Sequence, residues 1–232
     1  VVWIFDLFKK YLPYKKRKQK QKKQSLKDMK IDYDNIHRFI LRKCSGLPII
    51  KKEINKNGVI MIDDDKLDFF SFIARTVISQ QISNTVANQI WGKLCSYINK
   101  KTLSIRDFKN KAFLENSLNH LKISKQKISY IANIFDAIST KEIITENLRY
   151  MHEEDFKSLM MKYKGIGEWT CNMALIFYFK NLNIFPEQDL VLKKMEQKLN
   201  TLEMKKINFK NEFKPFLSIL SLHLWKMSKR IL

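Results

Sequence analysis

The stretch Leu159-Met160-Met161-Lys162-Tyr163-Lys164-Gly165-Ile166-Gly167-Glu168-Trp169-Thr170 decides how the rest of the chain is read. Only five glycines occur in 232 residues, and two of them, Gly165 and Gly167, stand in this window. Phe156 to Met161 upstream and Trp169 to Phe179 downstream both have helical character. Glycines between two helices permit positive φ and the close approach of another backbone. They also leave the amides at the start of the second helix uncovered, where they can bind a phosphate. The segment therefore reads as helix, tight hairpin, helix, with Lys164, Gly165, Ile166, Gly167 and Thr170 as its DNA-backbone contacts. An ordinary helix connection ended by glycine is the alternative, and it explains one glycine better than two.

Working outward, helical spacing dominates. Phe69, Phe72, Ile73 and Val77 share one helical face. Ser83 fits an N-cap, and the rows Val86, Ile90, Leu94 and Ala87, Trp91, Cys95 follow it. A segment from Ser124 turns Ile128, Ile131, Ala132, Phe135 and Ile138 inward. Glu153, Glu154 and Asp155 suit a helix N-terminus through the dipole, ahead of Phe156, Leu159 and Met160. Leu190, Val191, Met195 and Leu199 give a further helical pattern, and a last helix is predicted over about 211–229, with Pro215 in its first turn. Only Gly58 to Ile62 could be a short extended piece. The fold class is all-α, over roughly residues 33–232.

Apolar residues make up 45% of the chain, enough for a buried core. The formal net charge of +21 attracts a polyanion, nucleic acid or an anionic membrane surface, although Lys-rich codon bias explains part of it. Residues 1–30 hold eleven Lys or Arg against Asp6 and Asp28. Their densest run is Lys15-Lys16-Arg17-Lys18-Gln19-Lys20-Gln21-Lys22-Lys23, and like charges this dense rarely fold alone. Residues 1–32 are expected to form a flexible basic arm: a nuclear-import signal, a DNA-grazing arm or, best, a linker with some DNA contact. The chain opens at Val1-Val2 without Met, as a fragment could, so upstream targeting sequence stays open. No apolar run reaches the length of about 18 residues that a membrane helix needs. Cys44, Cys95 and Cys171 are odd in number and widely spaced, which argues against a disulfide framework and a cysteine-bound metal.

The hairpin stretch resembles that of the helix-hairpin-helix DNA glycosylase superfamily. Phe185-Pro186-Glu187-Gln188-Asp189-Leu190 resembles the segment with that family's catalytic aspartate. Ile78-Ser79-Gln80-Gln81-Ile82-Ser83 is similar to a segment of its 3-methyladenine (alkylbase) branch. Phe213 to Ser218, with Leu222-His223-Leu224-Trp225, resembles its C-terminal helix. The markers keep the family's order over about residues 67–227. The resemblance implies two helical subdomains with the active site in the cleft between them, in the compact form without an extra N-terminal sheet domain.

The resemblance further implies a monofunctional glycosylase II activity, releasing 3-methyladenine or 7-methylguanine from double-stranded DNA in base excision repair. Asp189 would be the catalytic carboxylate, stabilising an oxocarbenium-like sugar; by residue type alone it reads first as a helix cap, and both roles are compatible. Trp169 stands where lyase-competent relatives hold a Schiff-base lysine, so no strand cleavage is expected. Trp169, Trp225 and Met173 would line the base pocket, Met173 standing where some relatives place an aromatic. Gln81 aligns with the residue that fills the gap left by a flipped base. The backbone carbonyls of Met161, Tyr163 and Ile166 are the implied ligands of a Na+ or K+. No other cofactor and no iron–sulfur cluster is expected. A downstream AP endonuclease, a monomeric state, nuclear placement and no membrane association complete the expectations. Leu217, where an arginine is common, and Lys180 to Asn183 depart from the family pattern. Alternatives are a non-catalytic DNA-binding hairpin module and a glycosylase for oxidised or mismatched bases.

Overall fold

The computed structural model describes residues 31–63 and 67–232. Every element in the described residues is helical. They are α1 Tyr33–Lys43, α2 Pro48–Asn57, α3 Phe69–Ser79, α4 Asn84–Ile98, α5 Lys111–Asn119, α6 Lys125–Ser139, α7 Thr145–Leu148, α8 Glu153–Met160, α9 Glu168–Met173, α10 Leu190–Leu202, α11 Phe209–Glu212 and α12 Leu217–Ile231. A 3-10 turn, Ile105–Asp107, precedes α5, and a π turn, Ala174–Tyr178, extends α9. Gly58 to Ile62 forms no strand. The basic run before residue 24 lies outside the described residues, which open one residue before the Asp32 cap of α1.

The helix starts follow local chemistry. Asp32, Asp68, Ser83, Ser124 and Asp189 each accept an amide of the first turn that follows. Helix ends are less usual. With few glycines, the left-handed positions after helices fall to Asn99, Lys122, Lys141 and Met204, although an L side chain is disfavoured there.

Two helix groups result. One packs α1, α2, α10 and α12 together; the other gathers α3 to α9. The centre of the second is α3, which is buried nearly all round rather than along one face. Phe70 meets Phe108 and Phe135 edge-on at 5.7 and 5.6 Å, while Phe69 meets Phe156 and Tyr178. Such pairs add about 0.5–1.5 kcal/mol each beyond area burial. The first group is tied by a polar cluster. Asn57 Nδ2 donates to the His223 carbonyl at 3.0 Å, and Arg230 donates to Asn57 Oδ1 and Glu53 Oε2 at 2.7 and 2.8 Å. Burial pushes the His223 imidazole down to about 3, so it is neutral inside the fold.

Three periodicity readings are corrected. In α4, Ala87, Trp91 and Leu94 turn inward, but Val86 is exposed. In α10 the buried row is Leu192, Met195 and Leu199, while Leu190 and Val191 face outward. The last helix starts at Leu217 and not near Asn211, because Pro215 cannot donate and its ring pushes Lys214 out of helical conformation.

Candidate active site

Asp189 is placed by the Phe185-Pro186 turn, where its amide donates to the Pro186 carbonyl at 2.9 Å. It is the N-cap of α10, and its Oδ1 accepts the amides of Val191 and Leu192, both at 3.0 Å. Two further donors arrive from other helices. Trp169 Nε1, at the start of α9, donates to Oδ2 at 3.0 Å, and Trp225 Nε1, on α12, donates to Oδ1 at 3.1 Å. Four N–H groups thus converge on one carboxylate, three on Oδ1 and one on Oδ2. Oδ2 keeps the lone pair that a developing cation or a water could use. The cap and the candidate catalytic carboxylate are the same group.

An indole N–H lies in the ring plane, so the bonds to Asp189 use the ring edges and not the ring faces. Trp169 and Trp225 are each half-buried. Trp225 also lies nearly parallel to Phe177, 22° between planes and 6.2 Å between centroids. Phe177, also half-buried, belongs to the π turn, where Phe179 N bonds back to the Ala174 carbonyl at 3.0 Å. Nothing in the residue pattern singles it out. Met173 is buried in the core cluster, and Phe177 rather than Met173 supplies the ring opposite Trp225.

The two hairpin glycines differ. Gly165 has φ +89°, and a Cβ there would overlap the Tyr130 ring of α6, so glycine is required twice over. Gly167 is extended, with nothing within 4 Å of where a Cβ would stand. It opens α9 without any side-chain cap. Lys164 and Gly167 are exposed, as a DNA contact requires. Ile166 and Thr170 are not: their exposures are 4% and 1%. The Ile166 amide is spent on the Tyr163 carbonyl at 3.0 Å. Thr170 Oγ1 instead accepts Gln80 Nε2 at 3.1 Å, because this position of α9 faces α3. Neither side chain faces DNA, so any contact from these two residues is through the main chain.

Gln81 sits exposed in the turn between α3 and α4, with φ +59°. Its neighbour Gln80 reaches the hairpin, donating to the Gly165 carbonyl at 3.0 Å. Of the candidate cation ligands, Met161 and Tyr163 lie at the end of α8, Met161 half-exposed. Cys44 and Cys171 are buried free thiols, pushed up to about 12 by burial.

No family model matches the chain. The alkylbase DNA glycosidase-like protein mag2 of Schizosaccharomyces pombe is 28% identical over 169 residues, 68% of this chain and 76% of that protein. DNA-3-methyladenine glycosylase 1 of the same yeast is 29% identical over 174 residues, 71% and 75% of the two chains. In fold, the structure is similar to the 3-methyladenine DNA glycosylase of that organism in complex with abasic DNA. The TM-score is 0.66 at 21% identity, over 84% of this chain and 97% of that one. That last likeness is one of fold alone, and it agrees with the hairpin and with the relatives in sequence. In sequence and in fold the chain is thus similar to DNA-3-methyladenine glycosylases, the alkylbase branch to which the hairpin and its markers pointed.

Proposed function

We propose that the chain is a monofunctional DNA glycosylase that releases alkylated purines, of the 3-methyladenine and 7-methylguanine type, by hydrolysing the bond between base and sugar. The observation that carries this reading is the Asp189 carboxylate, held by two main-chain amides and by the indoles of Trp169 and Trp225. An N-alkylated purine is already cationic and leaves readily, and positive charge grows on the sugar as it departs. A fixed carboxylate stabilises that charge and can orient the attacking water. Reaching it requires flipping the base out of the duplex. The ring faces of Trp169 and Trp225 suit an electron-poor base by stacking and cation–π attraction. Gln81, exposed at its turn, is the group we assign to the gap left in the stack.

Trp169 holds the position at which a lysine would form a Schiff base, so the product is an intact abasic site, a substrate for an AP endonuclease. Borohydride trapping of a covalent protein–DNA adduct would contradict this. The open end of α9 and the exposed Lys164 are the proposed phosphate contacts. A Na+ or K+ on the Met161, Tyr163 and Ile166 carbonyls belongs to the same proposal. Neutral carbonyl oxygens suit such an ion, and the Tyr163 carbonyl keeps a second lone pair beside its bond to Ile166.

The test is release of bases from methylated duplex DNA, identified by mass spectrometry. Wild type is expected to free methylated purines. Asp189→Asn, which still caps α10, is expected to fold and to free none. Near-normal release by that variant sinks the assignment.

A further inference from the structure

Lys127 was not singled out by sequence. It lies on α6, yet its Nζ donates to the carbonyls of Ile78 and Gln80, at 2.9 and 2.7 Å, on the turn that carries Gln81. Among the described residues no carboxylate pairs with it, and burial pulls its amine pKa down. Half-buried, the ammonium spends two of its three donors on main-chain oxygens. What it does is fix where that turn stands relative to α6.

The same helix also fixes the hairpin. Tyr130 is three residues on from Lys127, so both lie on one face of α6. Its ring occupies the space that a Cβ of Gly165 would need. Gln80 closes the third side, its Nε2 donating to the Gly165 carbonyl at 3.0 Å and to Thr170 Oγ1 at 3.1 Å. The turn is thus tied to α6 and to the hairpin, and the hairpin is packed on α6. The pieces come from positions 78–81, 127–130 and 165–170, and no two of these segments are neighbours in sequence.

We infer that Lys127 and Gln80 are positioning residues that hold the Gln81 turn at a fixed offset from the hairpin, so that gripping the DNA backbone places Gln81 in the gap left by the flipped base. This rests on the glycosylase reading above only in taking Gln81 as the gap-filling group. A hairpin on a phosphate fixes the protein's register along the duplex. Without the frame, the same grip leaves the wedge free to miss its step.

A duplex with a tetrahydrofuran abasic analogue opposite 2-aminopurine reports this without any chemistry, since a side chain beside the orphaned base changes its fluorescence. Wild type is expected to give a large change at saturation. Lys127→Met and Gln80→Leu are each expected to bind with Kd within about threefold of wild type but to lose most of the amplitude, about fivefold or more. On a Gln81→Ala background, Lys127→Met is expected to remove nothing further, which a loss of general stability would not reproduce. Two variants on separate sides of the frame guard against one failing to fold. Wild-type amplitude in both variants overturns the inference, as does a Lys127→Met effect undiminished on the Gln81→Ala background. A wild type that frees methylated bases without a fluorescence change overturns the register alone. One that gives the change but frees no base removes the glycosylase reading and leaves the register standing.

Discussion

Helices α9 and α10 begin alike and end up doing opposite things. Each starts behind a residue in extended conformation, Gly167 with φ −101° and Asp189 with φ −70°. Each offers unpaired amides and the positive end of a helix dipole. At α10 a carboxylate from the chain itself takes the amides and then recruits two indoles. At α9 no side chain caps the amides, and nothing stands within 4 Å of where a Gly167 Cβ would be. One positive end is turned inward onto the proposed catalytic carboxylate; the other is the end proposed above to take an anion from outside. What separates them is a single residue type at the cap.

Experiments that break this contrast rank by size. Asp189→Asn should lower base release by about a thousandfold or more while shifting stability by less than about 1 kcal/mol, since Asn also caps. Denaturant melts beside the release assay measure both. Next, Gly165→Ala should cost about 2–4 kcal/mol of stability through its positive φ and the Tyr130 overlap. Chemical denaturation reads that cost, and a fully stable variant would show that the hairpin can shift freely. Trp169→Phe and Trp225→Phe keep a ring and remove one N–H from Asp189. Each should slow single-turnover release by about 10–100-fold, as expected for a lost hydrogen bond to a charged group. An unchanged rate with weakened binding would instead make the indoles walls only.

Gly167→Asp makes α9 into a copy of α10. It should add about 0.5–1 kcal/mol by capping and weaken DNA binding by about tenfold. Unchanged affinity in a filter-binding titration would mean that the open end does not face DNA. The smallest change lies at the far end of α10, where Met204 is 92% exposed with φ +50°. Met204→Gly should stabilise by about 1 kcal/mol in a thermal melt, with base release unaltered.

Much of this was legible in the sequence, for reasons that also set the limits. The helices showed because burial repeats with the helical period, and the hairpin showed because glycine is scarce and clustered. Asp189 was legible as both cap and carboxylate. Phe177 was not, since a π turn changes the periodicity and nothing in Met173 to Phe179 announces one. Lys127 and Gln80 were missed because their main acceptors are backbone carbonyls, which carry no residue signature. The inward turn of the Thr170 side chain was not legible either, since it follows from the packing of α9 on α3. Leu190 and Val191 were misread because the apolar pattern does not say where a helix leaves the core.

The two indoles on Asp189 come from different helix groups, Trp169 from the second and Trp225 from the first. The proposed reacting centre therefore exists only while the groups stay docked. Gentle heating or low urea that parts them should silence the enzyme while circular dichroism still reports intact helices. Catalysis in this fold doubles as a gauge of docking, and a ligand that bridges the groups would act as a thermostat on activity.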